Sequence, residues 1–254
     1  MKAPALTFYS EEDTLSFSEE QVDTGFQFPS QLMLGKQAEA MFEYILKQSK
    51  RYKLLAANVQ IQGTQETLGE LDYLIFDTIT NNTLHIELAC KFYLFDDGLG
   101  PTFESKWIGP NRKDTLQEKL DKVKKKQFPL LYTPESLETL KHIQIDFAAI
   151  KQQLYIKSFL FVPKDFRKEQ LAKRYQDGIV GTYISFSEFS TEETSALYAI
   201  PDKKEWLLPP EQITNWVSFS EAKQTIEKLI DTKRAPLVYK KQKNTLDLFF
   251  VIWW

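Results

Sequence analysis

One cysteine, two histidines, nine glycines and no long hydrophobic run set the first limits on this 254-residue chain. A solitary Cys90 leaves nothing for a disulfide framework and too few thiolates for a zinc cluster, which suits a reducing cytosol; alone it reads as a core residue. His85 and His142 are too few and too scattered for a catalytic triad or a zinc site. The low glycine count, with 11 prolines, argues against a loop-rich or repeat architecture, and no internal period or low-complexity tract is present. The longest apolar cluster, Leu246 to Trp254, is interrupted by Asp247 and is too short to span a bilayer. Near the start, Lys2 gives way to Glu11, Glu12 and Asp13 without an apolar stretch, so neither a signal peptide nor a membrane span is expected. Walker loops, dinucleotide fingerprints and nucleophile elbows are likewise missing. Neither sign of charge dominates: 32 basic against 35 acidic residues, a net of -3, exclude a globally basic nucleic-acid binder but not a local basic surface.

What is there is apolar and aromatic. With 43% hydrophobic and 14% aromatic residues the chain can bury a large core, as one big domain or two modest ones, and a cytoplasmic protein is expected. Residues 1–30 lack clean periodicity and read as an arm. From Gln31 to Lys50, Leu34, Ala38, Met41, Phe42 and Ile45 recur at helical spacing. Three strands follow, at 54–62, 68–77 and 84–95, with Asn81-Asn82 turning the chain between the last two. Gly109-Pro110-Asn111 breaks the chain, and a charged helix runs to about Gln127 on an inward stripe of Leu116, Leu120 and Val123. Pro129 and Pro134 punctuate it. Residues 154–162 form a fourth strand and 165–175 a helix. The remainder reads as strands at 179–186 and 196–200, a turn at 206–210, a helix near 220–232, and late strands around 237–239 and 246–254. No linker cleanly separates the halves.

The most informative feature is a set of charges inside core-like strands. Removing water from an ionised carboxylate costs several kcal/mol or raises its pKa, so acids in such strands need partners. Side chains two apart share a strand face, so Glu70 and Asp72 point one way. In the next strand Leu84, Ile86, Leu88, Cys90, Phe92 and Leu94 make one apolar face, and His85, Glu87, Ala89 and Lys91 the other. An antiparallel pairing that keeps the acids together sets Asp72 across from Glu87, Ala89 or Lys91. Two carboxylates roughly 4–6 Å apart repel by about 3–4 kcal/mol at an effective dielectric near 20, a conflict that a divalent cation removes. All-oxygen ligands favour Mg²⁺ or Mn²⁺ over Zn²⁺. The alternative is an amphipathic hairpin whose polar face is in water, with Lys91 in a cross-strand ion pair. On the preceding helix Glu39 lies at the edge of the apolar stripe, either as a third acid for the strand pair or as a solvated border, whereas Glu43 and Lys47 form an ordinary i,i+4 pair.

The order of these parts resembles the PD-(D/E)xK nuclease superfamily over roughly residues 31–163. Leu34-Gly35 followed by Glu39 resembles that superfamily's first helix, Gly69-Glu70-Leu71-Asp72 its metal-binding strand, and Glu87 with Lys91 its acid and lysine. More narrowly, residues 69–74, 85–94 and 107–120 together resemble a bacterial family of uncharacterised proteins assigned to it. The resemblance implies an α/β (α+β), restriction-endonuclease-like core of helix, three-strand meander, helix and further strand in a mixed sheet, with residues 164–254 as a C-terminal α/β extension packed on that core. It also implies that Asp72 and Glu87, with the main-chain carbonyl of Leu88 and Glu39, ligate Mg²⁺ or Mn²⁺, that Lys91 orients water or stabilises negative charge, and that nucleic acid is the partner. One departure stands out. The usual pattern is Glu-x-Lys, but Ala89 occupies the lysine position and Lys91 starts roughly 6–7 Å further along the strand.

The helix after Gly109 carries Arg112, Lys113, Lys119, Lys122, Lys124, Lys125 and Lys126 against Asp114, Glu118 and Asp121, so Lys119 and Lys126 are candidate phosphate contacts, or one solvated face. Gln127 continues the apolar stripe, so its amide faces inward, to backbone or to the acids. Asp114 and Gln117 form a loose capping-box pattern. Trp107, before the Gly-Pro break, either stacks on a base or anchors its loop. Trp253 and Trp254 close a core strand or meet another copy. Two functions therefore compete: a divalent-metal-dependent nuclease, and a catalytically inactive protein of that fold that binds nucleic acid or a protein partner.

Overall fold

A computed structural model of the chain describes residues 26–143, 145, 150–192 and 194–254. Most of the proposed N-terminal arm, up to residue 25, lies outside the described residues. Helix α1 (Leu34–Gln48) is built from strong helix formers and buries Phe42 and Leu46. The meander follows as β1 (Tyr52–Gln62), β2 (Thr67–Asp77) and β3 (Asn82–Phe95), all antiparallel. Asn81 turns the chain between β2 and β3 at φ 55°, a left-handed conformation that asparagine tolerates. A two-residue strand, β4 (Trp107–Ile108), pairs with the end of β3.

The expected helix after the Gly-Pro break is α2 (Leu116–Lys122), which passes through a π-helical turn (Val123–Gln127) into α3 (Phe128–Leu130). Its N-terminus is a capping box, but one residue along from the expected one. Thr115 Oγ1 accepts the Glu118 N–H, and Glu118 answers by accepting the Thr115 N–H at 2.8 Å. Helix α4 (Pro134–His142) was not expected. Pro134, taken as a break, is instead its first residue, capped by Thr133.

Strand β5 (Ile150–Pro163) begins four residues earlier than its apolar pattern and runs parallel to β3. The helix expected at 165–175 reduces to a 3₁₀ turn (Lys168–Gln170) and the short α5 (Lys173–Gln176), because Leu171 and Tyr175 alone supply a buried anchor there. Next come β6 (Ile179–Ser185), α6 (Phe186–Phe189), β7 (Leu197–Ala199), α7 (Phe219–Asp231), β8 (Leu237–Gln242) and β9 (Thr245–Ile252).

The nine strands of the described residues join one mixed sheet in the order β1-β2-β3-β5-β6-β9-β8-β7, with β4 on β3. Residues 164–254 are thus continuous with the preceding strands through the parallel pairs β5–β6 and β6–β9. Helix α1 covers one face through Phe42, Leu46, Tyr73, Ile86 and Tyr155. Helices α2 to α4 cover the opposite face. Between Ile86, where pairing with β2 ends, and Leu94, where β4 begins, β3 is laddered among the described residues only to β5. No described helix is long and apolar enough to cross a membrane.

Candidate active site

The acids meet where β2 and β3 part. Their ladder runs from Asp77/Asn82 to Tyr73/Ile86, and continuing that register places Asp72 opposite Glu87. There the backbone ladder stops and a carboxylate takes it over: Asp72 Oδ2 accepts the Leu88 N–H at 2.8 Å. On the polar face His85, Glu87 and Ala89 are buried while Asp72 and Lys91 keep contact with solvent, so the hairpin is not solvated along its whole polar side. Helix α3 lies so close over β2 that a Cβ at Gly69 would stand 2.7 Å from Leu130 Cδ2, so a side chain there would push the Leu130 methyl aside.

Glu87 is fully buried and both of its oxygens are engaged. Gln127 Nε2 donates to Oε2, so the inward amide reaches the acids and not the backbone. The π-helical turn that ends at Gln127 is the local device that delivers it. Lys119 Nζ donates to Gln127 Oε1 at 3.1 Å, which fixes the amide's orientation, because a lysine can only donate. On the other side His85 Nε2 lies 3.0 Å from Glu87 Oε1, and Gln152 Nε2 lies 2.9 Å from His85 Nδ1 and donates to the Phe128 carbonyl at 2.8 Å.

Burial, then the negative charge of Glu87, push the Asp72 carboxyl up to about 6, against the Leu88 hydrogen bond and the charge of Lys119. Lys119 is half-buried and less basic than usual, chiefly because of that burial; Glu87 and Asp72 pull the other way. Lys36 is held above its usual value first by its hydrogen bond to Glu39, with Glu70 and Asp72 adding to it. Among the described residues no three His, Cys, Asp or Glu side chains form a group able to hold a metal, so Asp72 and Glu87 are a pair without a third side-chain ligand.

Among the described residues the other candidates make no hydrogen bond to Asp72 or Glu87. Glu39 is bound to Lys36 at 2.5 Å within its own helix. Lys91 Nζ donates to Asp114 Oδ2 at 2.7 Å, an ion pair with both partners more than a third exposed. Asp114 therefore has a partner and is not a cap. Lys126 is exposed on the π-helical turn. Trp107 is fully buried, its ring stacked on Tyr175 at 5.7 Å and packed against Phe95, so it is unable to stack on a base. The lysine that the two acids share is Lys119 from α2. His85 and Gln152 were missed: His85 shares the face of Glu87, but Gln152 lies ahead of the apolar pattern that marks β5.

Fold and site define a mixed α/β protein with a carboxylate pair, Glu87 buried and Asp72 half-buried, at a strand fork. The chain belongs to the family described as Domain of unknown function (DUF1853), whose model matches residues 12–247. No curated protein and no solved structure matches it.

Proposed function

We propose that this protein is a divalent-metal-dependent phosphodiesterase acting on nucleic acid. The observation that carries this reading is the meeting of half-buried Asp72 with fully buried Glu87 beside Lys119, where burial first, and then the charge of Glu87, push the Asp72 carboxyl up to about 6. A small oxygen-seeking cation fits that donor set, since Mg²⁺ keeps several waters and needs only one or two carboxylates from the protein. Asp72 and Glu87 would hold it; Glu39 is committed to Lys36. When bound, such an ion polarises a phosphoryl oxygen and acidifies water.

The chain's own residues supply the rest. Lys119, aligned by Gln127, places a partly dehydrated cation beside the acids, where it offsets negative charge that grows on a phosphate. Lys122, Lys124 and Lys126 are exposed on the same helical segment and offer contacts along a phosphate backbone. The ion pair of Lys91 with Asp114 favours a second reading, a protein of this fold that binds nucleic acid without cutting it.

Labelled DNA and RNA, single-stranded and duplex, incubated with Mg²⁺ or Mn²⁺ separate the two. Metal-dependent cleavage is expected, reduced at least about 100-fold by Asp72→Asn and by Glu87→Gln, and more by Lys119→Met than by Lys91→Met. Unchanged activity in both acid variants would remove the site assignment. Salt-dependent binding without any cleavage would establish the second reading.

A further inference from the structure

The hydrogen bonds around Glu87 can be given a direction, and the direction assigns a role to a histidine outside the acid-lysine set. A backbone carbonyl only accepts, so the Gln152 atom that lies 2.8 Å from the Phe128 oxygen is its nitrogen. That same nitrogen faces His85 Nδ1 at 2.9 Å, so Nδ1 must accept. The ring proton is therefore on Nε2, which points at Glu87 Oε1, 3.0 Å away. Nothing in this chain of donors can be reversed without setting two donors or two acceptors against each other. The parallel register makes the contact structural, since His85 on β3 stands directly beside Gln152 on β5. The Phe128 ring packs edge-on against the imidazole at 6.1 Å and holds its plane. His85 and Glu87 are both fully buried, so no water competes for these bonds.

We propose that His85 and Gln152 are positioning residues: Gln152 fixes the imidazole as the Nε2–H tautomer so that it aims the Glu87 carboxylate at Asp72. Gln127 clamps the other Glu87 oxygen, so the carboxylate is gripped at once from the π-helical turn and from its own strand, through His85 braced by Gln152 of β5. This rests on the reading of Asp72 and Glu87 as the cation-holding pair. Groups that hold a metal-binding carboxylate in place commonly change metal affinity 10- to 100-fold when removed.

The test uses the full-length protein and needs no substrate. With two histidines in the chain, ¹⁵N-resolved NMR of the imidazole rings assigns each tautomer directly. His85 is expected as Nε2–H, and Gln152→Met is expected to mix its tautomers. Calorimetric titration with Mn²⁺ is expected to show about 10-fold or greater weakening in His85→Leu and in Gln152→Met. His85→Gln, whose side-chain amide can still donate near the Nε2 position, is expected to stay within about 3-fold of the parent. Circular dichroism screens the variants for folding, and His85→Gln and the parent tautomer remain informative if His85→Leu does not fold. An Nδ1–H tautomer in the parent, or parental Mn²⁺ affinity in both His85→Leu and Gln152→Met, overturns the proposal. If the parent binds no Mn²⁺, the cation reading fails separately, and the tautomer of His85 in the parent and in Gln152→Met decides the positioning role alone.

Discussion

Asp72 sits in an environment unfavourable to its own charge. Its folded-state carboxyl titrates near 6, above the 3.8 of a free side chain, so between about pH 4 and pH 6 the folded protein holds a proton that the unfolded chain releases. Stability contributed by this group therefore falls as pH rises through that window, and the unfavourable contribution is complete above about pH 6. Asp72→Asn should stabilise the metal-free protein at pH 7–8 by on the order of 1–2 kcal/mol, less than the full shift would give because the carboxyl keeps some contact with water. Thermal melts of the two proteins should converge below about pH 4; a gain that persists at low pH would remove electrostatics as its cause. At this scale the sequence was informative about chemistry and uninformative about partners. Alternation in β2 and β3 placed Asp72 and Glu87 on one face. It was silent on how the helical lysine comes beside them and how the β5 glutamine reaches the histidine that contacts Glu87, because such contacts depend on sheet order and on a π-helical turn that local periodicity does not encode. Trp107 shows the converse: proximity to a Gly-Pro break suggested a loop, but packing against Phe95, Phe103 and Tyr175 decides burial and has no local signature.

The elements that matter most to the architecture are the parallel strands joining its two halves. Strand β6 touches β5 on one side and β9 on the other, and Gly181 makes this possible, since a Cβ there would lie 2.2 Å from the Leu248 carbonyl and 2.8 Å from the Phe161 ring. Gly181→Ala should destabilise the protein by about 2–3 kcal/mol, read from the denaturant midpoint, because the obstruction is backbone and has no rotamer to yield. A midpoint within error of the parent would mean that β6 and β9 are free to slide apart. Strong amphipathic segments gave α1, α2 and α7 within a few residues, and the meander was legible from alternation and its Asn-Asn turn. Helix α4 was hidden because proline both ends and begins helices, and the sequence alone does not say which. Helix α5 was overpredicted because polar residues such as Lys168, Glu169 and Gln170 have helical propensity without an apolar face to bury.

For the molecule as a whole, nine strands in one sheet would ordinarily make the central strands the slowest to exchange their amide protons. The fork between β2 and β3 breaks that pattern. Leu88 sends its N–H toward β2, so by strand alternation the amides of Cys90 and Phe92 point the same way, into the interval that neither β2 nor β4 fills. Native-state deuterium exchange should therefore show a seam of low protection at these two amides, flanked by the slow amides of Glu87, Ala89 and Lys91 that face β5. Uniform slow exchange along β3 would mean the interval is closed. If the seam is found, the middle of the sheet carries its own local opening free energy, and a ligand that fills the fork will be detectable as restored protection at Cys90 and Phe92 before any turnover is measured.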